Sequence, residues 1–126
     1  MSSSPTTIQI SDIDTSSAYG FVINGVDADD YSGYSVSGAG DVNGDGFDDL
    51  IVGAYQADPN GNIGSGSSYV VFGTTDTTAI ELSDFEGGSG NGFVINGVDS
   101  SDQSGISVSG AGDVNGDGLD DLIVGA

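Results

Sequence analysis

Two short loops rich in aspartate and asparagine carry the side chains of this chain that could do chemistry. The segment DVNGDGFDD begins at Asp41, and DVNGDGLDD begins at Asp113. In such a loop alternate side chains point inward, position 7 offers a backbone carbonyl, and glycine at position 6 permits a sharp turn around a hard cation such as Ca²⁺. The spacing therefore predicts two calcium sites. The oxygen-bearing side chains at positions 1, 3, 5 and 9 are Asp41, Asn43, Asp45 and Asp49, then Asp113, Asn115, Asp117 and Asp121.

Two other interpretations of these loops compete with a calcium site in a β fold. An EF-hand or dockerin-type loop begins with similar residues but needs a bidentate acidic ligand at position 12. Position 12 is Val52 in one copy and Val124 in the other, each inside an apolar stretch. A solvated turn is also rich in Asp and Asn, but it does not require four ligand positions in both copies. The position-8 residues, Asp48 and Asp120, are expected to face water or to add to the local negative field.

The charge of the chain excludes several classes of function. The 126 residues include no Lys, Arg or His and 20 acidic side chains, which gives a net charge of −20. Nucleic acid and anionic membrane are excluded as partners because both require cationic side chains. Catalysis lacks a His, Cys, Lys or Arg as base, nucleophile or anion clamp, so the chain is not expected to be an enzyme. No apolar run approaches the length of a membrane span.

The apolar residues predict an all-β fold. They are mostly Val, Ile, Phe and Tyr, which suit strands, and turn residues separate them into short, evenly spaced runs. Leu50 to Val52 is continuously apolar, which predicts a strand buried on both faces. The hydrophobic content of 36% argues against a disordered acidic chain. The predicted strands are Ile8–Ile13, Gly20–Val26, Tyr34–Gly40, Asp49–Ala54, Ser68–Gly73, Ile80–Phe85, Phe93–Val98, Ile106–Gly112 and Asp121–Ala126.

A long internal repeat organises the chain. Gly20–Ala54 aligns without gaps on Gly92–Ala126, 72 residues later, and 30 of the 35 positions are identical. Repeats of this kind indicate stacked or radial units that cannot bury their apolar faces alone. We divide the chain into a tail (1–7), a first unit (8–73) and a second, truncated unit (74–126). The Ser- and Gly-lined strand Tyr34–Gly40 fits a crowded position near the axis of a propeller.

Several short strings resemble the FG-GAP repeats of integrin α-subunit β-propellers and their bacterial relatives. They are Val71-Phe72-Gly73, Gly20-Phe21-Val22-Ile23, Ser35-Val36-Ser37, the loop from Gly40 to Gly46, and Asp49-Leu50-Ile51-Val52-Gly53-Ala54. Near-identical copies without Lys or Arg look most like large secreted bacterial members. The resemblance implies four-stranded antiparallel blades, fewer than two in this chain, with calcium in the loop between the first and second strands. It also implies that the backbone carbonyls of Phe47 and Leu119 are calcium ligands.

These patterns lead to three hypotheses of function. The first is a calcium-binding structural or adhesion segment of a β-propeller at the cell surface or outside the cell, although no signal sequence is visible. Its partners would be other blades or further copies of the chain, with a possible protein or carbohydrate ligand. The second is a natural or engineered fragment that assembles into a ring, and the third is a non-catalytic module of a secreted hydrolase. Tyr31 and Tyr34 could lie on a binding face, but packing is the preferred interpretation.

Overall fold

A computed structural model describes residues 7, 9–15, 20–76, 78–88 and 90–126. Within these residues the chain forms strands and very little helix. The strands are β1 (Ile23–Asn24), β2 (Ser35–Gly40), β3 (Asp49–Ala54), β4 (Ser67–Val71), β5 (Ile80–Glu81), β6 (Gly92–Asn96), β7 (Ser107–Gly112) and β8 (Asp121–Gly125). The helical segments are α1 (Ile10–Thr15) and the 3₁₀ turns Pro59–Gly61 and Leu82–Asp84. None of the described helices is long and apolar enough to span a membrane.

A four-stranded antiparallel sheet forms the centre of the fold. Its strand order is β2-β3-β4-β6, and β7 pairs with β8 in a second, two-stranded antiparallel sheet. This arrangement confirms the prediction of an all-β chain with fewer than two four-stranded blades. The first sheet takes its last strand from beyond residue 73, so it crosses the division between units 8–73 and 74–126. That division remains a prediction about the sequence repeat.

Apolar side chains pack on both faces of the four-stranded sheet. Its front face packs Ala39, Ile51 and Val70 against residues of the second sheet, chiefly Val108 and Val124. Its rear face packs a second cluster that includes Val52, Tyr69 and Val71, together with Leu82 and Phe85 from the segment that follows β5. Ile51 is 0% exposed and Val52 is 6% exposed, so the apolar run in β3 is buried on both sides.

Small residues allow the two sheets to approach closely. A methyl group built on Gly110 of β7 would lie 2.7 Å from the carbonyl oxygen of Gly38 in β2. The expectation that the Ser- and Gly-lined strand lies where backbones crowd is therefore confirmed. The closeness of β2 and β7 also brings the loops that follow them side by side.

One predicted strand is helical in the structure. Ile8–Ile13 was expected to be a strand; Ile8 lies outside the described residues, and Ile10–Thr15 forms α1. The carboxylate of Asp12 accepts a hydrogen bond from the Gln9 amide at 3.0 Å, and the Asp12 amide donates to the Gln9 carbonyl at 2.9 Å. Reciprocal bonds of this kind stabilise the first turn of a helix, and the alternating apolar residues did not reveal them.

Two other predicted strands are much shorter than expected. The Ile80–Phe85 strand ends at Glu81, because the Phe85 amide bonds the Leu82 carbonyl in a 3₁₀ turn that buries both side chains. Of Gly20–Val26, only Ile23–Asn24 is a strand, and it pairs in parallel with β5. The identical sequence forms the longer β6 because β4 lies beside it and supplies the hydrogen-bonding partner.

Candidate metal centre

The two aspartate-rich loops occupy equivalent places in the two sheets. The first connects β2 to β3 and the second connects β7 to β8, so each lies between the first two strands of its sheet, as the resemblance implies. Each follows a register shift at the end of the preceding strand, between Gly38 and Gly40 or between Gly110 and Gly112. The strands therefore present both loops at the same end of the sheets.

The first aspartate of each loop holds the backbone of the turn. Asp41 accepts hydrogen bonds from the amides of Gly44 and Gly46 at 2.8 and 2.9 Å, and from the amide of Asp45 at 3.1 Å. Asp113 makes the same bonds to the second loop. These bonds, that from Gly46 above all, hold the pKa of Asp41 below its usual range, and the Gly118 amide has the same effect on the pKa of Asp113. Both carboxylates are therefore kept ionised.

The residues at positions 3 and 5 continue the same pattern. Asn43 Oδ1 accepts from the Asp45 amide at 3.4 Å, and Asp45 Oδ1 accepts from the Phe47 amide at 2.9 Å. In the second loop, the corresponding distances to Asn115 and Asp117 are 3.2 and 2.9 Å. Each oxygen keeps a further lone pair for a cation. The Phe47 and Leu119 carbonyls remain predicted ligands.

Three carboxylates of the second loop converge. Asp113, Asp117 and Asp121 each offer an oxygen that lies within 4.8 Å of the other two. Two oxygens bound to one Ca²⁺ at its usual distance lie no more than about 5 Å apart, so this separation fits a shared ion. The chain has no Lys, Arg or His to offset the repulsion between these carboxylates. A set of hard oxygen donors with this charge suits Ca²⁺ better than a metal that prefers nitrogen or sulfur.

The last aspartate of the first loop is placed differently from its copy. Asp49 is 0% exposed, and its two oxygens accept hydrogen bonds from the amides of Val42 and Gly73, both at 2.8 Å. Asp121 is partly exposed and accepts from the Val114 amide at 2.7 Å. The first loop is therefore tied to the end of β4 as well as to its own sheet. The oxygens of its three carboxylates, Asp41, Asp45 and Asp49, do not come as close to one another as those of the second loop.

A residue of the second loop also holds the first loop. Asp120 was expected to face water or to add to the local negative field. Its Oδ2 accepts a hydrogen bond from the Asp41 amide at 2.9 Å, and its own amide donates to the Asp41 carbonyl at 3.2 Å. Exposure to water was wrong for Asp120 because the second sheet brings it against the first loop. Asp48, its copy, is exposed. The two loops differ only at the preceding residue, Phe47 or Leu119, and both are apolar, so no sequence signal indicated that Asp120 would have a different neighbour in space.

The two tyrosines that differ between the copies pack on a third tyrosine. The ring centroids of Tyr31 and Tyr34 lie 5.5 and 4.8 Å from that of Tyr55. Both rings remain substantially exposed, at 55% for Tyr31 and 65% for Tyr34. They form a small aromatic surface beside the first sheet. This surface is not part of the two aspartate-rich loops.

Comparisons with known proteins agree with this architecture. A family model described as "FG-GAP repeat" matches residues 32–71 and 104–126, half of the chain and both aspartate-rich loops. Over 100 residues, the chain is 37% identical to integrin alpha pat-2 of Caenorhabditis briggsae and 36% identical to integrin alpha pat-2 of Caenorhabditis elegans. Each alignment covers 75% of this chain and 7% of the relative, so the chain spans a small part of these proteins.

Proposed function

Because the chain belongs to the FG-GAP repeat family, we propose that it is a non-catalytic, calcium-binding segment of a β-propeller that serves structure or adhesion outside the cell. The observation that carries this proposal is the pair of loops with one ligand pattern at equivalent places in adjacent sheets. The convergence of Asp113, Asp117 and Asp121 supports a shared cation. Sheets that pack face to face support a propeller segment more than a catalytic cleft.

Bound calcium would act on the junction between the sheets. Asp41 is both the first predicted ligand of its loop and the residue whose backbone bonds Asp120 of the next loop. Leu119 also approaches the first loop, since a methyl group built on Gly44 would lie 3.0 Å from its Cδ2 atom. A cation that orders the first loop would therefore order the contact with the neighbouring sheet. The role of calcium in this proposal is to stabilise the arrangement of adjacent blades.

The expected affinity favours a location outside the cell. Each loop offers three carboxylates, an amide oxygen and one carbonyl, and most of these groups are exposed. Such sites belong to the weak extracellular class, with dissociation constants on the order of 10⁻⁴–10⁻³ M. Millimolar calcium outside cells would fill them, whereas cytosolic calcium would not. A protein or carbohydrate ligand would then be bound by the complete propeller, in keeping with the resemblance to integrin α-subunits.

Thermal unfolding in calcium, in magnesium and in chelator tests the proposal. At a calcium concentration ten times the dissociation constant, each site should stabilise the fold by about 1.4 kcal/mol. We expect Asp45→Ala and Asp117→Ala each to remove about half of the calcium-dependent rise in Tm, because the two loops bind separate ions. Magnesium should stabilise less because it requires a tighter octahedral site.

Asp27→Ala is the matched control, since it removes one exposed carboxylate outside both loops. It should leave the calcium-dependent rise in Tm unchanged. A rise that survives the double variant Asp45→Ala/Asp117→Ala would contradict binding in the loops. Complete loss of the rise in either single variant would contradict independent sites and indicate cooperative binding.

A further inference from the structure

Asp120 lies in the second aspartate-rich loop but is hydrogen-bonded to the first. Its Oδ2 atom accepts from the Asp41 amide at 2.9 Å, and its own amide donates to the Asp41 carbonyl at 3.2 Å. Asp120 therefore holds the peptide groups on both sides of Asp41, which is the first predicted calcium ligand of its loop. Two bonds to the backbone of one residue restrict its rotation and so fix the direction in which its side chain leaves the chain.

The first loop has a place for the Asp120 carboxylate. Gly40 has a φ of +67°, and a methyl group built on it would overlap that carboxylate, with the Cγ atom of Asp120 at 2.7 Å. The lack of a side chain at Gly40 thus lets the carboxylate reach the Asp41 amide. The preceding residue, Leu119, reaches the same loop, since a methyl group built on Gly44 would lie 3.0 Å from its Cδ2 atom. Residues 119 and 120 together contact both ends of the turn that begins at Asp41.

The Asp41 side chain depends on the backbone that Asp120 holds. Its two oxygens accept hydrogen bonds from three amides of the turn. The amide that follows it, that of Val42, donates to Asp49 Oδ2 at 2.8 Å. The loop is thus ordered by a network in which Asp49 comes from the same sheet and Asp120 comes from the neighbouring sheet.

We propose that Asp120 is a positioning residue for calcium in the first loop: it is not itself a predicted ligand, and it raises the affinity of that loop by holding Asp41 in place. This inference rests on the proposed function, because it requires that the first loop binds calcium. A ligand that is already oriented loses less freedom when the ion binds. Loss of an outer partner that orients a ligand typically lowers metal affinity by about 10- to 100-fold.

The coupling between this contact and the ion is reciprocal. If the bonds from Asp120 raise the calcium affinity of the first loop by some factor, bound calcium strengthens those bonds by the same factor. The affinity of the first loop is then set partly by the neighbouring repeat unit, and not by the nine residues of the loop alone.

A charge effect is the competing explanation for any influence of Asp120. A carboxylate attracts calcium whatever its hydrogen bonds are, and salt screens this attraction when the carboxylate is exposed. Asp48 separates the two explanations, because it is an exposed carboxylate within the first loop itself. If charge alone mattered, loss of Asp48 would weaken the first loop as much as loss of Asp120 does.

Calcium titration followed by ¹H–¹⁵N NMR measures the two loops separately in the intact chain. The Gly46 amide is bonded to Asp41 and reports on the first loop, while the Gly118 amide is bonded to Asp113 and reports on the second. We expect Asp120→Ala to weaken calcium binding at the first loop by about tenfold, the lower end of the range for outer partners. Binding at the second loop should stay nearly unchanged, although residue 120 lies within it.

Two further variants distinguish the hydrogen bond from the charge. Asp120→Asn removes the charge but keeps a side-chain oxygen that can accept from the Asp41 amide, so it should retain most of the affinity of the first loop. Asp48→Ala, the matched control, should leave that affinity close to the wild-type value in about 0.15 M salt. Weaker binding in Asp120→Ala that Asp120→Asn restores would support the positioning role.

Four results would overturn the inference. Wild-type affinity of the first loop in Asp120→Ala would overturn it and leave the proposed function standing. Equal weakening by Asp120→Asn or by Asp48→Ala would show a charge effect instead. Equal weakening of both loops by Asp120→Ala would show a general disturbance of the fold. If the Gly46 amide of the wild type showed no saturable shift with calcium, the proposed function would fail for the first loop, and this inference with it.

Discussion

Ile51 and Ile123 occupy the same position in two repeat copies that are identical at 30 of 35 positions, yet Ile51 is 0% exposed and Ile123 is 61% exposed. The same contrast separates Asp49 from Asp121 and Gly53 from Gly125. In each pair the local sequence is shared and the neighbouring sheet is not. The comparison teaches that burial in this repeat is determined by the adjacent unit, whereas the conformation of the loop is determined by its own residues.

Truncation of the two isoleucines should give the largest difference between the copies. Ile51→Ala removes a fully buried side chain and should lower the free energy of unfolding by about 2–5 kcal/mol. Ile123→Ala should change it by less than about 0.5 kcal/mol in a monomer, since that side chain is mostly exposed. Urea unfolding at low protein concentration measures both. Equal losses would show that the second sheet is as buried as the first.

Removal of the last loop aspartate should also separate the copies. Asp49→Ala leaves the amides of Val42 and Gly73 without their acceptor in a partly buried setting. A buried unsatisfied amide costs about 1–3 kcal/mol, so chelator-treated protein should lose at least that much stability. Asp121→Ala leaves only the Val114 amide unpaired, and this residue is more exposed to water. The loss of stability should therefore be smaller. Urea unfolding measures both losses of stability. If Asp121→Ala lost more stability than Asp49→Ala, the account of Asp49 as a link to β4 would be wrong.

Addition of a single methyl group should affect stability differently at Gly53 and at its copy, Gly125. Gly53→Ala forces the backbone of Gly105 away and should cost about 1–3 kcal/mol, the usual effect of overpacking. Gly125→Ala should be close to neutral in the monomer because it meets only Ser107. Thermal unfolding of the two variants, side by side, checks this difference. Similar Tm values for the two would contradict the close contact between the sheets.

Acid titration of the first loop aspartates should show almost no difference between the copies. Backbone hydrogen bonds lower the pKa of both Asp41 and Asp113 from the ordinary value of 3.8. Because the folded-state pKa is lowered, these groups stabilise the fold above the unfolded pKa, and this contribution is lost as the pH falls through the folded pKa. Carboxyl NMR titration in chelator should place both below 3.8. A normal pKa at one of them would mean that its loop is not formed without calcium.

The sequence was informative wherever the structure depends on nearby residues. The runs that became β2, β3, β7 and β8, and the loops between them, could be predicted because turn chemistry and apolar patterning are local. The helix at Ile10–Thr15 could not, because a reciprocal bond between Gln9 and Asp12 outweighed the strand-like pattern. The role of Asp120 could not be predicted either, since Asp48 lies in a loop that differs only by Phe47 in place of Leu119 and has a different neighbour in space.

Equilibrium dialysis of the wild-type chain against calcium tests the central claim most directly. With free calcium raised to about ten times the dissociation constant, and with about 0.15 M salt to suppress unspecific binding to the acidic surface, the account predicts saturation at two ions per chain, and at one ion per chain after Asp117→Ala. Calcium uptake that rises without saturation, or saturable uptake that Asp117→Ala leaves unchanged, would contradict calcium binding in these loops.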